Sequence, residues 1–226
     1  DWSRGLGDVY KRQAFINPNS TKEMTESCIQ AGLRCMSSGI CLTGFTNQHG
    51  PPSIQGAADG ELATPGLLSL IKSNQQMDGF IIGCFDNTGL EEARRLTHKP
   101  VIGIGQAAYH MACLTSARFT VLTTLDVSVP VIKENIDNLG FSMWCDDVLA
   151  SDVPVLELEF HPESAVPKVR KAIKNIKKRF PETAIVLGCA GMTIIKSELS
   201  EQLQSVQLID PVTSAVRLMC AAVKEG

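Results

Sequence analysis

No apolar run in this 226-residue chain approaches the length of a membrane span, and no segment reads as a secretory signal. No Cys-x-x-Cys occurs, and no His stands at zinc-ligand spacing from a pair of cysteines. An excess of basic charge is also missing: 21 Lys and Arg against 24 Asp and Glu give a net charge of −3. These absences argue against a membrane partner, a nucleic-acid partner and a thioredoxin-like redox motif. Eight cysteines without a pairing motif suit a reduced, cytoplasmic enzyme better than a disulfide framework.

The chain is 44% hydrophobic, enough for a sizeable core in one or two domains. Residues 7–13, "GDVYKRQ", read as the translation of a transposon-end sequencing adapter. Residues 1–13 are therefore set aside as a sequencing artefact, although "VYKRQAFI" has the composition to complete a first strand. Beyond them, short apolar runs at 39–45, 79–84, 100–104, 119–124, 153–158, 183–189 and 206–209 alternate with helical patterns. The helical patterns fall at 21–37, 61–76, 89–97, 106–116, 128–138, 163–180, 193–204 and 212–224. Such alternation predicts α/β layers with mostly parallel sheets flanked by helices. At 163–180, Val166, Val169, Ile173, Ile176 and Phe180 share one face, and the lysines and Arg170 point elsewhere. That pattern is an amphipathic surface helix rather than an anion site.

Two stretches carry the chemistry. "DGFIIGCFDNTG" (78–89) and "ETAIVLGCAGMT" (182–193) each run from apolar residues through Gly-Cys into small or polar ones. Cys84 and Cys189 are 105 residues apart. "FINPNS" (15–20) and "VLTTLD" (121–126) recur at about the same offset, as do "VIGIGQAA" (101–108) and "LIDPVTSA" (208–215). Three coincidences in one order predict two similar lobes. The first lobe would be 14–105 plus 206–226, its last strand returning to pair there, and the second 106–205. Ligands of parallel α/β sheets bind outside the carboxyl ends of the strands. Facing lobes would then bring the two thiols into one cleft from opposite walls.

On these motifs, with "INPNS" (16–20), "GCFDNTG" (83–89), "PVIGIGQAA" (100–108), "VLTT" (121–124) and "LGCAGM" (187–192), the chain resembles the Asp/Glu/hydantoin racemase superfamily. Within it, the hydantoin and allantoin racemases are the nearest in pattern. Amino-acid racemases of the superfamily follow the first Cys with Asn-Thr and the second with Thr-His. Here Phe85-Asp86 and Ala190-Gly191-Met192 stand instead, so the groups that handle an α-amino acid are missing. Arylmalonate decarboxylases keep one cysteine of the pair; both are present here.

The resemblance implies a cofactor-independent racemisation of 5-substituted hydantoins or allantoin, with Cys84 and Cys189 as the two acid/bases. No metal or cofactor is required. One thiolate removes the C5 proton and one thiol returns a proton to the other face, and the roles reverse with the other enantiomer. A free thiol near pKa 8.5 is mostly un-ionised at pH 7, and the helix-like segments after each cysteine are expected to lower it. Asn17, Asn19, Thr123 and Thr124 are expected to contact the substrate. Phe85, Asp86, Asn87, Ala190 and Gly191, beside the cysteines, complete the expected binding set, with a turn role equally open for Asp86 and Asn87. Cys28, Cys35, Cys113 and Cys220 read as packing, and His110 and His161 lack an interpretable acidic partner. The partner expected is a small molecule, with a homo-oligomer as the assembly. Other superfamily chemistry (amino-acid racemase, maleate-type isomerase, arylmalonate-type decarboxylase) and a non-catalytic ligand-binding protein stay open on the residues alone.

Overall fold

The structure, a computed structural model, describes residues 11–225. Residues 1–10, most of the segment read as adapter, lie outside them, whereas Lys11, Arg12 and Gln13 begin the first strand. The first half runs β1 (Lys11–Asn17), α1 (Lys22–Leu33), β2 (Ile40–Thr46), α2 (Ala57–Ser73), β3 (Gly79–Ile82), α3 (Leu90–Leu96), β4 (Val101–Gly103) and α4 (Ile104–Thr115). The second runs β5 (Phe119–Thr123), α5 (Val129–Asn138), β6 (Cys145–Ala150), α6 (Val155–Phe160), α7 (Pro162–Arg179), β7 (Ala184–Leu187), α8 (Met192–Gln202), β8 (Leu208–Ile209) and α9 (Pro211–Glu225).

Each half forms its own four-stranded sheet, in the orders β2-β1-β3-β4 and β6-β5-β7-β8. Among the described residues every strand pair is parallel. The orders are the same word spelled twice, as the 105-residue offset predicts. β3, β5 and β7 are buried along their whole length. Helices cover both faces of such strands, which is why the sequence there is a continuous apolar run rather than an alternation. α7 buries Ala165, Val166, Val169, Ile173 and Ile176 and leaves its lysines outside, the amphipathic reading.

Three expectations are corrected. "VPVLEL" (153–158) is not a strand: Val155 and Leu158, three apart, are the buried face of the short helix α6, which starts after Pro154. The fourth strand of that half is β6, "CDDVLA", an edge strand in which Val148 alone is fully buried. An edge strand has little apolar signal to read, and two Asp disguise this one further. The strand near 208 also pairs differently, lying on β7 (Ile185 with Leu208, Val186 with Ile209) and completing the second sheet. The following helix, α9, is the part that returns to the first lobe.

The two final helices are exchanged. α9 places Val212, Ala215, Val216 and Met219 against Phe15 and Ile81 of the first sheet. α4 places Ala108, Tyr109 and Ala112 against Phe119, Val121 and Ile132 of the second half. α4 and α9 lie against each other, so the lobes are joined by a shared helical layer.

Candidate active site

Each catalytic candidate sits one glycine past the carboxyl end of a buried strand. Gly83 N–H donates to Ile16 O at 2.8 Å, and Gly188 N–H to Leu122 O at 2.8 Å, so each ladder continues one residue beyond its strand. A side chain at either glycine has no room. A Cβ at Gly83 would lie 2.5 Å from Phe15 Cε1, and one at Gly188 would lie 2.9 Å from Leu122 O and 3.0 Å from Thr123 Cα. The Gly-Cys pairs are thus a packing requirement against the neighbouring central strand, and they deliver the thiols to the cleft.

Cys84 and Cys189 line one small cavity, of about 30 Å³. Its polar wall includes Asn19, Asp86, Thr123, Thr124 and Ser128, and its apolar wall Met24, Ile54, Phe85, Val155 and Ala190. No Lys, Arg or His is among the lining residues. The loop before α2 closes over from the first lobe: Val155 N–H donates to Gln55 Oε1 at 3.3 Å. Ser27 of α1 donates to Glu159 of α6 at 2.9 Å, a second tie across the lobes.

Hydrogen-bond donors lie beside both thiols, as their loops suggested. Thr88 Oγ1 donates to Cys84 Sγ at 3.3 Å, and the Asp86 backbone N–H also reaches that sulfur. The Gly191 and Met192 N–H groups point at Cys189. The expected lowering is nevertheless overturned, because burial outweighs these donors. Desolvation, reinforced by the Asp86 charge, pushes each thiol up to about 12. Asp86 is partly buried, and desolvation pushes its carboxyl up to about 7 against the Gly56 N–H and the Ser128 hydroxyl, 3.5 Å away.

The remaining residues separate into lining and support. Asn19, Phe85, Asp86, Thr123, Thr124 and Ala190 line the cavity. Asn19 Oδ1 is engaged by Asn17 Nδ2 and Thr21 N–H, while its own amide faces only the Met24 sulfur at 3.2 Å. A thioether is a weak acceptor, so this donor is available to a ligand. Asn17, Asn87 and Gly191 do not line the cavity. Asn17 Nδ2 binds Asn19, the Thr21 carbonyl and Thr25, which fixes the first loop. Asn87 adopts a positive φ of 52° and its Oδ1 accepts the Gln106 N–H, capping α4. Met24, Ile54, Ser128 and Val155 were not foreseen. They come from a helix, a loop, a turn and the misread α6, positions that no local motif marks. His110 and His161 stand away from the cavity.

Two like-ordered parallel sheets, with a Gly-Cys at the same strand end of each and one cleft between, define an α/β racemase class of protein. The Asp/Glu/Hydantoin racemase family pattern matches residues 14–219. A hydantoin racemase of Rhizobium meliloti is 39% identical over 214 residues, covering 94% of this chain and 88% of that protein. The solved allantoin racemase from Klebsiella pneumoniae superposes with a TM-score of 0.91 at 35% identity, covering 96% of this chain and 89% of that one. A glutamate racemase from Bacillus anthracis shares the fold alone, with a TM-score of 0.70 at 16% identity over 96% of this chain and 83% of that one. The chain belongs to the Asp/Glu/hydantoin racemase family, and its activity is that of an isomerase.

Proposed function

We propose that the chain racemises 5-substituted hydantoins or allantoin at C5, with Cys84 and Cys189 as the two acid/bases. One observation carries this reading: thiols from equivalent strand ends of two matching lobes line one cavity. The C5 hydrogen lies beside a ring carbonyl, so its removal leaves an enolate that hydrogen-bond donors stabilise. The Asn19 amide and the Thr124 hydroxyl suit that task, while Thr123 Oγ1 already donates to Gly188 O at 3.2 Å and Ser128 Oγ to Asp86 Oδ2 at 3.5 Å. Met24, Ile54 and Val155 offer an apolar seat for the ring substituent. The chemistry calls for no metal or cofactor. A cytoplasmic location and a homo-oligomeric assembly go with the same reading. The relatives named above as hydantoin and allantoin racemases support the substrate class.

The experiment is a chiral time course with allantoin and several 5-alkyl and 5-arylmethyl hydantoins, followed in deuterated water for Cys84→Ser and Cys189→Ser. Racemisation is expected to fall by orders of magnitude in both. Each variant should keep C5 exchange with retention for one enantiomer, opposite in the two. Near wild-type racemisation by either variant would overturn the two-thiol mechanism.

A further inference from the structure

Among the described residues, two thiols and one carboxyl line the cavity, and no cation does. Cys84 of its own loop and Cys189 after β7 line the cavity together with Asp86, and both thiols and Tyr109 of α4 feel its charge. Gly56 N–H and Ser128 Oγ contact its carboxyl, and Asn135 Nδ2 donates to its backbone carbonyl at 2.7 Å. None of these groups is cationic. A thiolate formed beside an ionised Asp86 would put two negative charges in one buried, cation-free space, an arrangement that burial and mutual repulsion both oppose. One charge, by contrast, has donors wherever it resides. On Asp86 it meets Gly56 and Ser128, on Cys84 it meets Thr88 and the Asp86 N–H, and on Cys189 it meets the Gly191 and Met192 N–H groups.

We propose that Asp86 holds the single negative charge of the empty cleft and creates the reactive thiolate by accepting a thiol proton, so that the charge moves without increasing. This rests on the two-thiol reading above. An S–H bond of Cys84 or Cys189 breaks, its electron pair stays on sulfur, and the proton forms an O–H bond on the Asp86 carboxylate, directly or through a water in the cavity. The thiolate then takes the C5 proton while the second thiol supplies one to the opposite face. That second sulfur, now a thiolate, recovers a proton from Asp86. Protons and charge balance with no co-reactant. Asp86 acts through the thiols rather than on the substrate.

The test compares two midpoints in wild type and Asp86→Asn. The first is the rising limb of kcat/KM against pH, measured with the hydantoin that wild type racemises. The second is the thiolate absorbance near 240 nm of the free protein, read as the difference from the Cys84→Ser/Cys189→Ser double variant in the matching background. In wild type the rate should reach its plateau at a pH where the thiolate band is still absent. In Asp86→Asn the two midpoints should move in opposite directions. The thiolate band should move to lower pH, because a repelling charge is gone. The rate limb should move to higher pH, because the resting charge is gone, leaving kcat/KM at pH 7 lower by roughly tenfold or more, equivalent to at least one pH unit. A merely repulsive Asp86 would shift both midpoints down, and a structural one would shift neither; either result overturns the proposal. Should Asp86→Asn fail to fold, wild type alone decides, since coincident rate and thiolate midpoints overturn it. Absent racemisation in wild type would defeat the two-thiol reading, whereas racemisation whose rate and thiolate midpoints move together in Asp86→Asn would defeat the Asp86 assignment alone.

Discussion

At the scale of single residues, the two glycines before the cysteines do different amounts of structural work. A Cβ at Gly83 meets mainly the buried ring of Phe15, a side chain that yields only by disturbing its neighbours, with Ile16 O at 3.1 Å. A Cβ at Gly188 meets backbone, Leu122 O at 2.9 Å and Thr123 Cα at 3.0 Å, and a central strand cannot yield. Gly188→Ala is therefore expected to cost about 1–3 kcal/mol of stability. It should also reduce racemisation beyond that of Gly83→Ala, because the displaced loop carries Cys189. Urea unfolding and the chiral assay on both variants check this, and equal effects would contradict the packing argument. The importance of these glycines was legible in the sequence as a repeated Gly-Cys. The cause was not, since it lies in a neighbouring strand more than 60 residues away.

At the scale of elements, α4 is held at its start by a residue outside it. Asn87 caps it through the Gln106 N–H from a left-handed backbone position. Replacement by Ala removes a cap and puts a Cβ-bearing residue without a local partner in that conformation, each worth about 1 kcal/mol. Asn87→Ala should lose about 2 kcal/mol by chemical denaturation while leaving KM near the wild-type value, and a large rise in KM would return Asn87 to the binding set. The buried elements were the legible ones. β3, β5 and β7 announce themselves as apolar runs because both faces are covered. β6 and α6 did not, because an edge strand needs few apolar residues and a helix of under two turns shows little period. The partial legibility of the site has the same origin. The thiols and their neighbours sit at strand ends marked by motif, whereas Met24, Ile54 and Val155 reach the cavity through tertiary packing.

At the scale of the molecule, the exchanged helices α4 and α9 bind the fate of each sheet to the other. Neither lobe can unfold without stripping a helix from its neighbour's core. Urea should therefore unfold the chain in one transition, with far-UV circular dichroism and Trp144 fluorescence coincident in a Trp2→Phe background. The midpoint should depend on alkaline pH. Burial pushes Cys28, Cys84, Cys145 and Cys189 upward in the folded state, Cys84, Cys145 and Cys189 to about 12. The unfolded chain releases these protons near pH 9 while the folded chain retains them. Their contribution is thus complete below about pH 9 and is lost as pH rises toward the folded values. The urea midpoint should fall steadily from pH 8.5 to 11. Separate transitions for the two probes would contradict the shared helical layer.

Asp86 belongs to one lobe only. The position 105 residues further on is Gly191, which has no side chain to answer it. The two hands of a substrate have equal free energy in water, so for any racemase the ratio kcat/KM is the same in both directions, however lopsided the protein. The lone carboxyl cannot favour one hand at equilibrium. It can only change how tightly each hand is held and how fast it turns over, in compensating proportion. The protein's asymmetry is therefore written in its saturation behaviour and is invisible in its selectivity.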